Sequence, residues 1–96
     1  MVLNCVGPYR FLGERVVSAC VKGGASHIDI SGEEQFIASM HLKYDDLAKE
    51  SGVFVISACG FDSIPNDLGH VVLAQSMEGD VNSVESFIKV QNNLKF

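Results

Sequence analysis

Basic residues are in short supply. Seven lysines and arginines stand against twelve aspartates and glutamates, for a net charge of -5, and they are scattered without a run or a stripe. That excludes the clustered positive footprint that nucleic acid requires and the polybasic patch drawn to an anionic membrane surface. No apolar stretch approaches the ~20 residues of a membrane-spanning helix. The opening residues Met1-Val2-Leu3-Asn4-Cys5 lack the charged region and long apolar core of a signal peptide. Cysteine is sparse: Cys5, Cys20 and Cys59 are odd in number, far apart and not in a CxxC pair. Neither a zinc site nor a disulfide framework is expected; three reduced, mostly buried thiols in a reducing compartment are. His27, His41 and His70 fall at no ligand spacing, so they are expected at the surface or at edges, and no metal is assigned. No Ser-His-Asp or Cys-His arrangement can be built. Finally, no glycine pair fits GxGxxG, so the turn that cradles a dinucleotide's phosphates is not in this sequence.

What is present fits at most one modest domain. Ninety-six residues, 47% hydrophobic and 20% charged, make a globular composition. There is no low-complexity tract, linker or array-like repeat. Val2-Leu3-Asn4-Cys5-Val6 reads as a short buried strand stopped by the turn Gly7-Pro8. From about residue 13 to 22, Val16, Val17, Cys20 and Val21 share a helical face, and Gly23-Gly24 supplies a left-handed stop. His27-Ile28-Asp29-Ile30-Ser31 alternates as a strand with one better-buried face.

Ser31-Gly32-Glu33-Glu34 fits a capping box, with Ser31 as the cap and Glu34 reaching back. The helix that follows places Phe36, Ile37, Met40, Tyr44, Leu47 and Ala48 on one side and ends at Gly52. The run over residues 53–59 is a third strand. A third helix, capped by Asp62 or Ser63 with Pro65 in its first turn, aligns Leu68, Val71, Val72 and Gln75 and closes at Gly79. Residues 84–90 alternate weakly as a last strand, and the tail beyond gives no signal.

The order β-α-β-α-β-α-β predicts parallel pairing: an α/β fold, part of a doubly wound sheet. A wholly parallel sheet wants helices on both faces and neighbours at its edges. The apolar first strand has no neighbour ahead of it, so the chain reads as half a domain.

Three strand ends are predicted to open into one crevice: residues 4–9, 29–33 and 60–67. In the first, Gly7 lets a ligand approach the backbone closely and Pro8 fixes the turn. Tyr9 offers a ring for stacking on a flat heterocycle, or packs as core. In the second, Glu33 and Glu34 put negative charge where a phosphate would otherwise find helix amides. The Asp29 carboxylate must find donors at an inner strand end. In the third, Asp62 is a candidate acid or base, although a capping aspartate is the commoner outcome. Asp67 has no evident structural task.

At these loops the sequence resembles a known family. Val2-Leu3-Asn4-Cys5-Val6-Gly7-Pro8-Tyr9-Arg10, then Ile28-Asp29-Ile30-Ser31-Gly32-Glu33, then Gly60-Phe61-Asp62-Ser63-Ile64-Pro65-Asn66-Asp67-Leu68-Gly69 resemble the saccharopine dehydrogenase-like oxidoreductases. Val84-Glu85-Ser86-Phe87 looks like the entry to that family's second domain. The resemblance covers about residues 2 to 90.

It implies a Rossmann-type NAD(P)-binding domain whose carboxyl-terminal half is residues 1–80, with 81–96 opening a truncated second domain. It also implies that the first nucleotide-binding half lies outside this chain, which would then be a fragment, a truncated isoform or an incomplete gene model. By resemblance Asn4, Gly7 and Pro8 lie beside the cofactor's ribose or nicotinamide, and Asp62 and Ser63 line the substrate side. The cofactor would be NAD or NADP in full-length members and is not expected to bind this chain alone. The substrate is an unassigned small molecule. The family's settings are intracellular: lipid droplets, mitochondria and membranes, and in microbes glycolipid synthesis. A rival expectation is a non-catalytic interaction module that self-associates through the exposed first strand.

Overall fold

The computed structural model describes residues 1–91. Six elements follow one another: β1 (Val2–Asn4), α1 (Tyr9–Lys22), β2 (His27–Asp29), α2 (Glu34–Ser51), β3 (Val55–Ile56) and α3 (Ile64–Ser76). The strands form one parallel sheet in the order β1-β2-β3, so the expected α/β architecture with parallel crossovers is present. The ladder runs Val2–His27–Val55, then Leu3–Ile28–Ile56, then Asn4–Asp29.

That register sorts the side chains. Asn4, His27, Asp29 and Val55 point to the face that α1 and α2 cover. The core there is Tyr9, Val17, Val21, Phe36, Met40 and Ala48, with Val6, Ile37, Tyr44, Val53 and Val55 packed against it. Burying side chains of this size contributes roughly 1.5–3 kcal/mol apiece. The opposite face is apolar and bare: Leu3, Ile30, Phe54 and Ile56 are all exposed. The sheet is thus covered on one side, where a doubly wound sheet is covered on two.

Several expectations need correction. α1 starts at Tyr9 rather than near residue 13, because its first amides are satisfied from outside the local sequence. Its glycine stop is divided: Gly23 caps with φ -86°, and the left-handed residue is Gly24 at φ +67°. In α2, Leu47 is exposed although it shares the apolar periodicity. Gly52 does end that helix, in the left-handed conformation at φ +64°.

The third strand shrinks from the expected residues 53–59 to Val55–Ile56. β2 offers only three residues to pair with, and beyond Ile56 the chain turns onto the Asp29 carboxylate. α3 starts after Ser63 with Pro65 in its first turn, yet none of its residues is buried. The face of Leu68, Val71, Val72 and Gln75 is therefore unpartnered. The helix ends at Ser76, before Gly79. Residues 77–91 form no regular element, so the strand expected over 84–90 is not there. A two-residue β3 offers too short a ladder to hold it. Residues 92–96, at the end of the expected second-domain segment, lie outside the described residues.

Candidate functional site

The ends of β2 and β3 are tied together by one carboxylate. Asp29 closes β2, and its Oδ1 accepts hydrogen bonds from Ser31 N (2.9 Å), Ser31 Oγ (2.6 Å) and Ala58 N (3.2 Å). Its Oδ2 accepts from Ser57 Oγ at 3.1 Å, and its backbone oxygen accepts from Cys59 N at 2.7 Å. A buried carboxylate survives only with donors of this number and quality. The carboxylate also bends the chain after β3, where Ala58 takes a left-handed φ of +58°. Ser31 is therefore held by Asp29 and caps nothing. The expected capping box fails because a short link to a buried anion outweighs a link to a helix amide.

Behind Asp29 lies His27, which is fully buried; the expectation of a surface or edge histidine is overturned. Its Nε2 sits 3.2 Å from Asn4 Nδ2, and its Nδ1 is 3.9 Å from Asp29 Oδ2 with no hydrogen-bond partner. Burial pushes the imidazole below its ordinary range, and the Asp29 charge partly restores it. Of the other two, His41 is exposed and His70 half-buried. No His/Cys/Asp/Glu group that could hold a metal occurs among the described residues. Of the three free thiols only Cys20 is buried, while Cys5 is exposed and Cys59 half-buried.

At the end of β1, Asn4 is buried and its side chain turns inward. Oδ1 accepts from Val6 N at 3.0 Å and the amide nitrogen faces His27. Gly7 and Pro8 are exposed, and a Cβ added at Gly7 would meet nothing within 4 Å. The backbone of this turn is thus open to close approach. Tyr9 takes its core role. It packs on Phe36 with ring centroids 5.6 Å apart, donates its hydroxyl to Asn4 O at 2.9 Å, and has its pKa raised by burial.

The residue that reasoning from the sequence missed is Glu33. It is the N-cap residue of α2 but makes no capping bond there. Instead its carboxylate accepts from the first two amides of α1, Tyr9 N at 2.8 Å and Arg10 N at 2.9 Å. Those amides are then not free for a phosphate, and the loss of a local cap on α2 is the gain of a remote one on α1.

Two hollows border these strand ends. One of about 520 Å³ is lined by Pro8, Arg10, Gly32, Glu33, Glu34 and Gln35. A small one of about 80 Å³ on the bare face is lined by Leu3, Asn4, Cys5, Ile28, Asp29, Ile30 and Cys59. A larger groove of about 580 Å³ runs between α2 and β3 and reaches Ser57 just past the end of β3. Asp62 is exposed, Ser63 is the half-buried N-cap of α3 without a side-chain capping bond, and Asp67 is exposed. Neither Asp62 nor Ser63 lines the hollows beside Asn4 and Pro8. The third loop reaches the others through Cys59 and through Gly60, whose added Cβ would lie 3.3 Å from Ile30 Cβ.

Known proteins place this arrangement in context. The chain is 57% identical over 90 residues to a "Lipid droplet localized protein" of Caenorhabditis elegans, a match covering 94% of this chain and 21% of that protein. It is 53% identical over 92 residues to the human "Saccharopine dehydrogenase-like oxidoreductase", covering 96% of this chain and 21% of that protein. A "Probable mitochondrial saccharopine dehydrogenase-like oxidoreductase" of Arabidopsis thaliana is 42% identical over 97 residues, covering 99% and 21% respectively. The chain spans about one fifth of the length of these curated relatives. No family model matches it, and no solved structure matches it.

Proposed function

Because the chain belongs to the saccharopine dehydrogenase-like oxidoreductase family, we propose that residues 1–80 are the carboxyl-terminal half of a Rossmann-type NAD(P)-binding domain. Residues 81–96 would begin a second domain. The whole protein would transfer hydride between NAD(P) and a small molecule. The observation that carries this reading is the open Gly7-Pro8 turn at the carboxyl end of a parallel strand, beside the Asp29-organised ends of β2 and β3. Ligands of open α/β sheets sit at such ends.

The residues fit one end of a dinucleotide. Gly7 and Pro8 present backbone to an uncharged ring or ribose, and Asn4 supports that turn from beneath through Val6 N. They do not fit the diphosphate, since Glu33 already takes the first α1 amides and GxGxxG is missing from the sequence. When bound, the nicotinamide supplies or accepts the hydride. Asp62 and Ser63 would face substrate from the head of α3, where Asp62 is exposed and Ser63 is half-buried with no side-chain capping bond. Placement at a lipid droplet or mitochondrion is the proposal that the relatives' names support. No helix among the described residues is long and apolar enough to cross a membrane.

Without a phosphate turn most cofactor affinity is lost, since that turn and its helix hold the pyrophosphate. Purified chain titrated with NADH or NADPH, followed by nucleotide fluorescence, is expected to show no saturable binding. Micromolar affinity would overturn this division of the domain.

A second reading is a non-catalytic module that pairs through β1. It is favoured by the position of β1 at the end of the sheet, with Val2 and Leu3 exposed. Light scattering decides it: mass that rises with concentration supports pairing, and a monomer throughout rejects it.

A further inference from the structure

Glu33 sits in the turn between β2 and α2 and serves a different helix. Its two carboxylate oxygens accept one hydrogen bond each, from Tyr9 N and Arg10 N. These amides have no partner inside α1, and they lie at the positive end of its dipole. An anion bridging two N–H groups there makes charge-assisted bonds, about twice as strong as neutral ones. Glu33 is itself anchored, because its backbone oxygen accepts from Ile37 N at 3.1 Å as the first bond of α2.

The turn between β1 and α1 is thus gripped at both ends. On one side Asn4 holds Val6 N through Oδ1 and accepts the Tyr9 hydroxyl on its backbone oxygen. On the other, Glu33 holds Tyr9 and Arg10. Gly7 and Pro8 stay exposed between the two grips. The hollow beside them is lined by one basic residue, Arg10, against two acidic ones, Glu33 and Glu34.

We propose that Glu33 is the positioning residue of the Gly7-Pro8 turn. It locks the β1–α1 and β2–α2 turns into one wall. As a resident anion it also closes the start of α1 to phosphate, so that this turn receives an uncharged part of a ligand. That the uncharged part is the nicotinamide–ribose end of NAD(P) rests on the function proposed above; the grip and the anion exclusion do not.

The test is amide hydrogen exchange on the 96-residue chain, read residue by residue by NMR with no nucleotide present. In Glu33→Ala, Tyr9 and Arg10 amides exchange roughly tenfold faster or more, while the α1 amides of Val17 and Val21 keep wild-type rates. Glu33→Gln has one acceptor oxygen in place of two, so it restores protection to one of the two amides. Glu34→Gln changes neither. Wild-type Tyr9 and Arg10 amide shifts stay put on titration with inorganic phosphate into the millimolar range.

Unchanged exchange in Glu33→Ala overturns the grip, as does a loss spread evenly along α1 and α2. If Glu33→Ala does not fold, Glu33→Gln decides alone: equal wild-type rates at both amides reject the proposal. A saturable phosphate shift rejects the anion exclusion. The nucleotide titration proposed above can fail without touching these readouts, and they can fail without touching it.

Discussion

His27 and Asp29 stand on the same buried face of β2, with Nδ1 and Oδ2 3.9 Å apart and neither side chain open to solvent. The carboxylate has its donors from Ser31, Ser57 and Ala58, so the histidine is left neutral beside an anion that does not need it. Burial lowers the His27 pKa from its ordinary 6.5, against the smaller upward pull of Asp29. The unfolded chain accepts a proton near that ordinary value, whereas the folded chain refuses it until lower pH. Stability from this site is therefore full above about pH 6.5 and falls as the pH drops toward the depressed folded value. Urea midpoints measured from about pH 8 to about pH 5 should decline, and more shallowly in His27→Gln. Identical slopes for wild type and variant would remove His27 from the account.

Asp29→Asn tests the hub. The amide keeps one acceptor oxygen for donors that now reach both carboxylate oxygens, and it turns an –NH2 toward others. Bonds to a charged acceptor are worth about 1.5–3 kcal/mol each, and an unmet buried donor costs about 1–3 kcal/mol. A loss of about 2–4 kcal/mol is expected by equilibrium urea unfolding, against about 1 kcal/mol for Ser57→Ala, which removes a single donor. Equal losses in the two variants would mean that Asp29 is one bond among many.

How far the sequence could be read follows from the range of the interactions. The β-α-β-α order, the Gly52 stop and the core positions Phe36, Met40 and Ala48 were legible because period and stop signals act within a few residues. The start of α1 was not, because its cap is Glu33, 23 or 24 residues further along. Ser31 was misread for the same reason: locally it completes a capping box, while the tertiary fold places a carboxylate 2.6 Å from its hydroxyl. On β2 the alternation was visible, but the polar residues are the buried ones. The inversion is possible because Asp29 is satisfied by Ser31, Ser57 and Ala58 and Asn4 reaches His27 Nε2 and Val6 N, although His27 Nδ1 stays without a partner. The strand-then-turn pattern also made the Gly7-Pro8 turn legible, and it is exposed, whereas Asp62 and Ser63 do not line the hollows beside Asn4 and Pro8.

Gly13→Ala probes how tightly α1 sits on α2. A Cβ at Gly13 would lie 2.6 Å from Cε2 and Cζ of Phe36, a buried ring already packed against Tyr9. In an exposed helix interior this change gains up to about 1 kcal/mol. Here overpacking costs typically 1–3 kcal/mol, since neither ring can leave the core without a void. The thermal midpoint should fall. A rise would show that Phe36 yields freely and that the core is looser than its burial implies.

Leu3→Pro separates pairing through the β1 edge from adhesion through the bare sheet face. Val2 N donates to Ser26 O at 2.8 Å, toward β2; since directions alternate along a strand, the Leu3 N–H points outward. Proline at position 3 therefore removes an outward donor and leaves the internal ladder whole, the way natural sheets blunt an edge. Because Leu3 also lends its side chain to the bare face, Leu3→Pro is read together with Phe54→Lys. Sedimentation or light scattering should show wild-type self-association reduced to monomer in Leu3→Pro, with an unchanged far-ultraviolet circular dichroism spectrum, and kept in Phe54→Lys. Association that survives in Leu3→Pro but falls in Phe54→Lys would assign the contact to the exposed apolar face of Ile30, Phe54 and Ile56, because a charge there opposes burial of that patch and leaves the edge untouched.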